Sequence, residues 1–475
     1  MGRRVTLDHG EDHLDVDLPD PAIVVEPGRT YQEPPPVDPV ATTRVALDAP
    51  VDLPPLAEFA QGAKRVVIAF PDRVKGGSHD GAHRRTALPL VLEDLASAGV
   101  PGDGITLVCA MGLHRKNTRE EMAEYLPAEV LDRFGPEQLV NHDAEDPDGI
   151  VDLGVSEHGD PVQFNRRCAE ADLTVVLGHV QGNPYGGFSG GYKTYTTGLT
   201  TWRSIAAHHV PATMHRPDFL PISTRSHFRS QLRAIGAHIE ASIAGKLFVL
   251  DAVVGRGAKV LGVAAGTTRA VEEATWPLAR QRTDVHLDVP PADVLLFGLP
   301  RDFHYGPGMG TNPILMAQAI AATTARAVGA LRPGAVVIAA AQCDGWFNDA
   351  WFPSYEETFE RYASHHSVAD MGEVVTELTE RVEYVQAYRH RYAYHPFHAF
   401  SMLSMAELLP KHAAAVFVPG ARVPGYARSM GMAPTRTVDE ALDRARLIVG
   451  DEPRVLALPG FLTDVPPHLF ATGGS

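Results

Sequence analysis

The 475-residue chain is too long for one compact core, and the usual size of domains predicts two or three of them. Its 42 basic and 58 acidic side chains give a net charge of −16, which argues against nucleic-acid or membrane partners. Three widely separated cysteines exclude a disulfide framework and a zinc ribbon. No apolar run approaches the roughly 20 residues of a membrane span, and the chain start lacks the apolar core of a signal peptide. We therefore expect a cytoplasmic protein that acts on a small molecule.

In chain order, a proline-rich arm (residues 1–60) precedes a first series of alternating strands and helices. The strands are short runs rich in β-branched residues, and the helices between them are amphipathic or open on acidic residues. The predicted strands are 64–70, 105–110 and 173–177, and the predicted helices are 86–98 and one that begins near residue 118. Nearly continuous apolar strands separated by helices indicate a parallel α/β sheet.

A second series follows a short polar hinge at 283–291. Its predicted strands are 294–299, 335–341 and 414–419, and its predicted helices are 313–330, 356–362 and 371–387. We therefore expect two α/β domains with mainly parallel sheets around a central cleft. Residues 1–283 would form a cofactor-binding domain and 292–436 a substrate-side domain, with 437–475 returning to the first.

Two short polar motifs directly follow predicted strands, where ligands of open α/β sheets gather. The first runs from Asp72 to Lys75. An acid and two cations in one turn suit a ribose phosphate, but from residue types alone a solvated loop with a surface ion pair is the favoured alternative. The second contains His114 in Gly-Leu-His-Arg. A histidine there can act as a general base near neutral pH, or can merely cap the turn.

The strongest motif is the glycine-rich loop Gly-Gly-Phe-Ser-Gly-Gly-Tyr-Lys, which ends at Lys193. Its glycines allow backbone N–H groups to approach an anion, so Ser189, Gly190 and Gly191 are candidate cofactor contacts. Lys193 can bind a phosphate or act as a nucleophilic amine. The order of residues is not that of a Walker A loop. A glycine-rich turn with an exposed lysine is the structural alternative.

A histidine pair, His208 and His209, lies sixteen residues beyond Lys193. Adjacent residues of a helix face different sides, so at most one of the pair is expected to serve the cleft. Imidazole is a common ligand of nickel, copper and zinc, but with 22 histidines in the chain a chance pair is also plausible.

Taken in order, these motifs resemble the nickel-dependent lactate racemase family. The resemblance spans nearly the whole chain and includes the Asp72 loop, the Gly-Leu-His-Arg motif, the glycine-rich loop and Ile205 four residues before His209. That family has two α/β domains around a nickel-pincer nucleotide, a pyridinium ring whose thiocarboxyl-derived arms bind nickel and are tethered to a lysine.

The resemblance implies roles residue by residue. Lys193 matches the tethering lysine and His209 the nickel ligand. Asp72 matches an acid that lies against the cofactor, with Lys75 in place of that motif's arginine. His114 matches the first of two acid/base histidines. The implied reaction removes the substrate hydroxyl proton while hydride moves to the cofactor, and the cofactor implies partner enzymes that synthesise it.

The chain departs from the family pattern at several positions. The second acid/base histidine corresponds to Asn183, whose amide cannot titrate, so that His179 or Tyr185 is a candidate substitute. The family's carboxylate-binding tyrosine and lysine correspond to Pro313 and Ala317. In their place Arg301, His304 or Tyr305 could line the cleft, with His304 a further candidate for proton transfer.

These departures predict a racemase or epimerase of a 2-hydroxy acid other than lactate. Two alternatives stay open: other redox or isomerisation chemistry with the same cofactor, and a non-catalytic cofactor-binding protein. Retention of His114 beside the lysine argues against the second alternative, because a carrier needs no acid/base group there.

Overall fold

The computed structural model describes residues 3–75, 81–220, 222–462 and 466–473. The strands are β1 (Arg4–Gly10), β2 (Asp12–Asp17), β3 (Ala22–Val24), β4 (Val66–Pro71), β5 (Ile105–Ala110), β6 (Leu139–Asn141), β7 (Ile150–Val155), β8 (Pro161–Asn165), β9 (Leu173–Val180), β10 (Gly182–Asn183), β11 (Gly187–Phe188), β12 (Lys246–Val254), β13 (Val260–Gly266), β14 (Asp284–Leu287), β15 (Ala292–Pro300), β16 (Leu331–Ala340), β17 (Ala415–Pro419), β18 (Ala433–Thr435), β19 (Val455–Leu458) and β20 (His468–Ala471).

Helices connect many of the strands in both halves of the chain. They are α1 (Pro39–Asp48), α2 (Leu56–Phe59), α3 (His83–Ser97), α4 (Arg119–Ala123), α5 (Ala128–Arg133), α6 (Arg166–Glu170), α7 (Tyr192–Gly198), α8 (Trp202–Ala206), α9 (Pro211–Met214), α10 (His227–Ser242), α11 (Thr268–Thr283), α12 (Pro313–Ala327), α13 (Tyr355–His365), α14 (Glu373–Thr379), α15 (Val382–His390), α16 (Phe397–Ala406), α17 (Leu409–His412), α18 (Pro424–Ser429) and α19 (Val438–Val449). None of the described helices is long and apolar enough to cross a membrane.

The first sheet has the strand order β13-β12-β9-β4-β5-β6. All neighbours pair in parallel except β12 and β13, which are antiparallel. Strands β4 and β9 are buried at every position, as expected of central strands covered by helices on both faces. Their carboxyl ends carry the Asp72 motif and the glycine-rich loop to the same edge of the sheet.

The second sheet contains the path β18-β17-β16-β15-β1-β2, with β19 between β15 and β3. Strands β15 to β19 pair in parallel, and β1 and β2 form an antiparallel hairpin at one end. The predicted fold class, two mainly parallel α/β sheets, is confirmed. One large apolar cluster joins the two halves, with Met111 and Ile205 from the first packed near Leu315 and Phe397 from the second.

Both ends of the chain depart from the predicted domain boundaries. Strand β1 of the amino-terminal arm pairs with β15, and β3 pairs with β19, so that the arm contributes to the second sheet. Strand β19 also lies in the second sheet instead of returning to the first. A four-residue apolar strand carries no local signal for its partner, because hydrogen bonding to either sheet would bury it equally well. The predicted 371–387 helix is two helices, α14 and α15.

Candidate functional site

A central cavity lies between the two sheets, at the carboxyl ends of β4, β5 and β9. It holds about 100 Å³ of water-accessible space, and α16 and Tyr305 line it from the second half of the chain. Among the residues singled out in the sequence, those that line it are Lys75, His114, His179, Asn183, Tyr185, Ser189, Gly190, Lys193, Ile205, His209 and Tyr305. Motifs from four separate stretches of chain therefore meet in one place.

His114 is held by a fully buried carboxylate. Its Nδ1 lies 2.7 Å from Oδ2 of Asp72, and the other Asp72 oxygen accepts the Lys75 backbone N–H. Burial alone would raise the pKa of Asp72, but the His114 imidazole and the cations of Lys75 and Arg84 more than offset this and lower it. An ionised carboxylate only accepts, so Nδ1 of His114 carries the proton and Nε2 is the basic nitrogen.

Asp72 consequently orients His114, and among the described residues it is not part of the cavity lining. This differs from the expectation that Asp72 contacts a cofactor. The sequence motif could not distinguish the two arrangements, because the hydrogen bond joins loops that are 42 residues apart.

The glycine-rich loop turns sharply into α7, with φ of +78° at Gly190 and +54° at Gly191. The Gly191 N–H donates to Oδ2 of Asp251 at 2.6 Å, and the Tyr192 N–H donates to Glu272. These internal carboxylates occupy donors that the sequence analysis assigned to an anionic ligand. A Cβ at either glycine would collide with Asp251 or Glu272, so close packing accounts for both glycines.

The loop places Lys193 at the start of α7, where its side chain lines the central cavity. Its Nζ donates to the carbonyl of Tyr185 at 2.8 Å and lies 3.4 Å from Oδ1 of Asn183. Burial, reinforced by the nearby cations Lys75 and Arg229, lowers its pKa well below the usual value. A lysine so placed is a neutral amine for a larger fraction of the time, which is the form that reacts as a nucleophile.

Only His209 of the histidine pair lines the cavity, whereas His208 is fully buried behind it. Their Nδ1 atoms lie 2.6 Å apart, so one ring donates a hydrogen bond to the other. Tyr185 stacks on His209 at 5.3 Å between ring centroids. For Nε2 of His209 to bind a metal, its Nδ1 must carry the proton and donate to His208.

Sequence reasoning missed His398, a buried histidine on α16 that also lines the central cavity. Its Nδ1 is 2.6 Å from the Tyr355 hydroxyl, and its Nε2 has no partner among the described residues. Its ring lies 5.8 Å from the ring of His114. An ionisable residue in the largely apolar helix FHAFSMLSMA was the signal available in the sequence.

The other proton-transfer candidates have environments that disfavour the task. Burial, with the cations Lys75 and Arg84 nearby, lowers the pKa of His179 to about 3. Burial raises the pKa of Tyr185 well above 10, and its hydroxyl accepts from Gln318. Asn183 accepts the Tyr185 N–H and faces Lys193, which makes it part of the lysine's support.

A side chamber adjoins the central cavity and shares Lys75, Asn183, Tyr185 and Tyr305 with it. His304 lines the side chamber but not the central cavity. Arg301 lines neither space within the described chain, since it is engaged with Asp344 and Glu11. The suggestion that Arg301 contacts substrate is therefore wrong. Pro313 and Ala317 at the start of α12 are buried and likewise absent from both described linings.

The Asp251 carboxyl that supports the loop gives a testable pH dependence. Burial, reinforced by Glu272, raises its pKa to about 7. The folded protein then retains a proton that the unfolded chain releases near pH 4, so stability falls as pH rises towards 7. Between about pH 5 and pH 7, the unfolding free energy of the wild-type protein should fall by about 2–3 kcal/mol more than that of Asp251→Asn. Urea unfolding of both proteins at the two pH values measures this, and parallel pH profiles would contradict it.

The chain is similar to several known proteins. Residues 9–219 match the model of the lactate racemase N-terminal domain. Lactate racemases of Thermoanaerobacterium thermosaccharolyticum and Lactiplantibacillus plantarum are each 23% identical, over 87% and 88% of both chains. The apoprotein structure of the former has a TM-score of 0.71 at 20% identity, covering 98% of this chain and 100% of that one. A Thermotoga maritima protein from structural genomics has a TM-score of 0.57 at 13% identity, covering 93% and 100%.

The fold, the cavity and these relatives together define an isomerase of the racemase class. The chain is a divergent homologue of the lactate racemases, with a match to their N-terminal domain over residues 9–219.

Proposed function

We propose that the protein racemises or epimerises a 2-hydroxy acid other than lactate, using a nickel-pincer nucleotide tethered to Lys193. The observation that carries this proposal is the meeting of His114, Lys193 and His209 on one buried cavity. A cytoplasmic location and a supply of cofactor from dedicated biosynthetic enzymes belong to the same proposal.

The residues present fit such a group. Lys193 offers an amine with a lowered pKa, and His209 offers one ring nitrogen while His208 engages the other. Within the described ranges no three His, Cys, Asp or Glu side chains converge as a metal site. A nickel ion at His209 would thus take its remaining ligands from the cofactor, in keeping with a pincer.

The chain's own residues would bind the substrate and move its hydroxyl proton. Lys75, which lines the cavity, would hold the substrate carboxylate. Nε2 of His114 would accept the hydroxyl proton, with Asp72 stabilising the resulting imidazolium. The bound cofactor would supply a reversible hydride acceptor. Apolar lining residues such as Met111, Leu113 and Met402 would exclude water from the reacting carbon.

His398 is the proposed second proton-transfer group, in place of the family histidine that Asn183 replaces. Burial lowers its pKa well below 6.5, as it does for His179, so the choice of His398 rests on its position: the Tyr355 hydroxyl fixes its Nδ1 and its ring lies 5.8 Å from that of His114. His398→Asn should lower turnover by about 10²–10⁴-fold without changing cofactor content. Tyr355→Phe, which removes only the hydrogen bond to Nδ1, should have a smaller effect. Unchanged racemisation by His398→Asn would assign the proton transfer elsewhere.

His208 should behave as a positioning residue for His209. His208→Ala removes the ring that fixes the tautomer of His209 and should weaken nickel retention by about 10–100-fold. Nickel analysis of the loaded protein after dialysis against a chelator series measures this. His227→Ala, a change of the same kind on the surface, serves as the control. Wild-type retention in His208→Ala would show that the pair is not coupled.

Chiral analysis tests the proposed activity. Loaded full-length protein is incubated with single enantiomers of lactate and of four- to six-carbon 2-hydroxy acids. We expect one of the longer acids to lose optical purity faster than lactate, because the family's carboxylate-binding side chains are replaced at Pro313 and Ala317. Equal or faster reaction of lactate would contradict the substrate assignment, and no reaction with any acid would contradict the activity.

A further inference from the structure

The side chamber beside the central cavity holds about 110 Å³ of water-accessible space and is walled on one side by α12. Helix α12 is almost entirely buried and apolar, yet it presents Gln318, Thr323 and Arg326 to this space. Since Lys75, Asn183 and Tyr305 border both spaces, a molecule held in the central cavity can extend into the side chamber.

Arg326 is a buried cation without a counter-charge in the described part of the chain. Its residue exposure is 8%, one guanidinium nitrogen donates to the carbonyl of Gly182 at 3.2 Å, and the other has no hydrogen-bond partner. Burial, together with the nearby Arg282, lowers its pKa to about 9. A buried charge left unpaired costs stability, and such groups are retained where a ligand completes them.

The neighbouring groups make the chamber electropositive. Lys75 forms no ion pair or side-chain hydrogen bond with any described residue, and Arg326 is close enough to lower its pKa further. The nearest carboxylate, Asp72, is already hydrogen-bonded to His114. His304 in the chamber wall is held neutral, since burial and the cations around it lower its pKa well below 6.5. Besides Lys193, the basic side chains of Lys75 and Arg326 face the joined spaces, and no described carboxylate lines either space.

We infer that the side chamber binds a second carboxylate of the substrate through Arg326, so that the substrate is a 2-hydroxy dicarboxylic acid. The inference rests on the proposed function for the first carboxylate, which Lys75 holds next to the reacting carbon. The planar guanidinium of Arg326 has a nitrogen free to pair with the far carboxylate. An anionic phosphate group, such as that of a nucleotide, shares this chemistry and is the competing occupant.

Calorimetric titration of the full chain, purified without cofactor, tests the inference apart from catalysis. Malate, 2-hydroxyglutarate, lactate and adenosine monophosphate are the probes. The dicarboxylates should bind tighter than lactate. Arg326→Gln should weaken their binding about 10–100-fold and leave lactate unchanged, because a charge-assisted contact of that size is lost. Arg326→Lys should retain part of the affinity, and Arg301→Gln, outside the chamber, should retain all of it.

Each outcome has a defined meaning. Equal binding of lactate and the dicarboxylates, or unchanged binding in Arg326→Gln, would overturn the inference. Adenosine monophosphate could instead bind in an Arg326-dependent way and displace the dicarboxylates. That result would assign the chamber to a phosphate and would also overturn the dicarboxylate inference. If Arg326→Gln fails to fold, the affinities of Arg326→Lys and the comparison of the probes on the wild-type protein still test the inference. Arg326-dependent dicarboxylate binding without any racemisation would sustain the chamber while contradicting the proposed function.

Discussion

Replacing Lys193 by Ala is expected to abolish the covalent cofactor adduct and to lower racemase turnover by about 10³-fold or more. The amine lies in the central cavity with a lowered pKa, next to the carbonyl of Tyr185. Without it the cofactor would lose its covalent attachment and its fixed position over the substrate. Intact mass and peptide mapping of protein co-expressed with the cofactor-making enzymes measure the adduct.

Lys75→Ala is the matched control for Lys193→Ala. Lys75 lines the same cavity, and removing it should impair substrate binding while leaving the adduct in place. An adduct that persists in Lys193→Ala, or that maps to Lys75, would contradict the assignment of Lys193.

The second large effect is expected at His114. His114→Asn should keep the adduct and lower turnover by about 10²–10⁴-fold, because the group that accepts the hydroxyl proton is lost. The test combines the rate of racemisation with adduct mass, so that loss of loading and loss of chemistry are told apart.

Asp72→Asn refines the His114 test. An amide in place of the carboxylate no longer fixes the proton on Nδ1 of His114, so turnover should fall although His114 is present. Full activity in Asp72→Asn would show that the buried hydrogen bond does not serve proton transfer. Loss of folding in His114→Asn would instead mean that the ring is structural.

The central strands of both sheets could be predicted from the sequence, because burial on two faces produces apolar runs bounded by turns. Strands β4, β5, β9, β15, β16 and β17 all follow this pattern. The placement of β1 and β19 could not be predicted, since parallel pairing with β15 joins residues far apart in the chain. Strands β12 and β13, which extend the first sheet, were also not predicted.

The residues of the site likewise fall into those that the sequence predicted and those that it did not. His114, Lys193 and His209 follow recognisable motifs, and the structure brings them to one cavity. His398 and Arg326 lie within apolar helices α16 and α12, and only the fold brings them to the cavity and its side chamber. Their only local mark was that they are polar residues within largely apolar helices, and most such residues serve packing or hydrogen bonding alone.

The most direct test of the central claim follows the hydrogen on the reacting carbon. A single enantiomer of the best 2-hydroxy acid, deuterated at C2, is incubated with loaded protein in ordinary water, and the opposite enantiomer is isolated and its mass measured. Hydride transfer to and from a tethered cofactor predicts that the deuterium is retained in the product. Loss of the deuterium to solvent would show that the carbon is deprotonated instead, and would contradict the proposed chemistry.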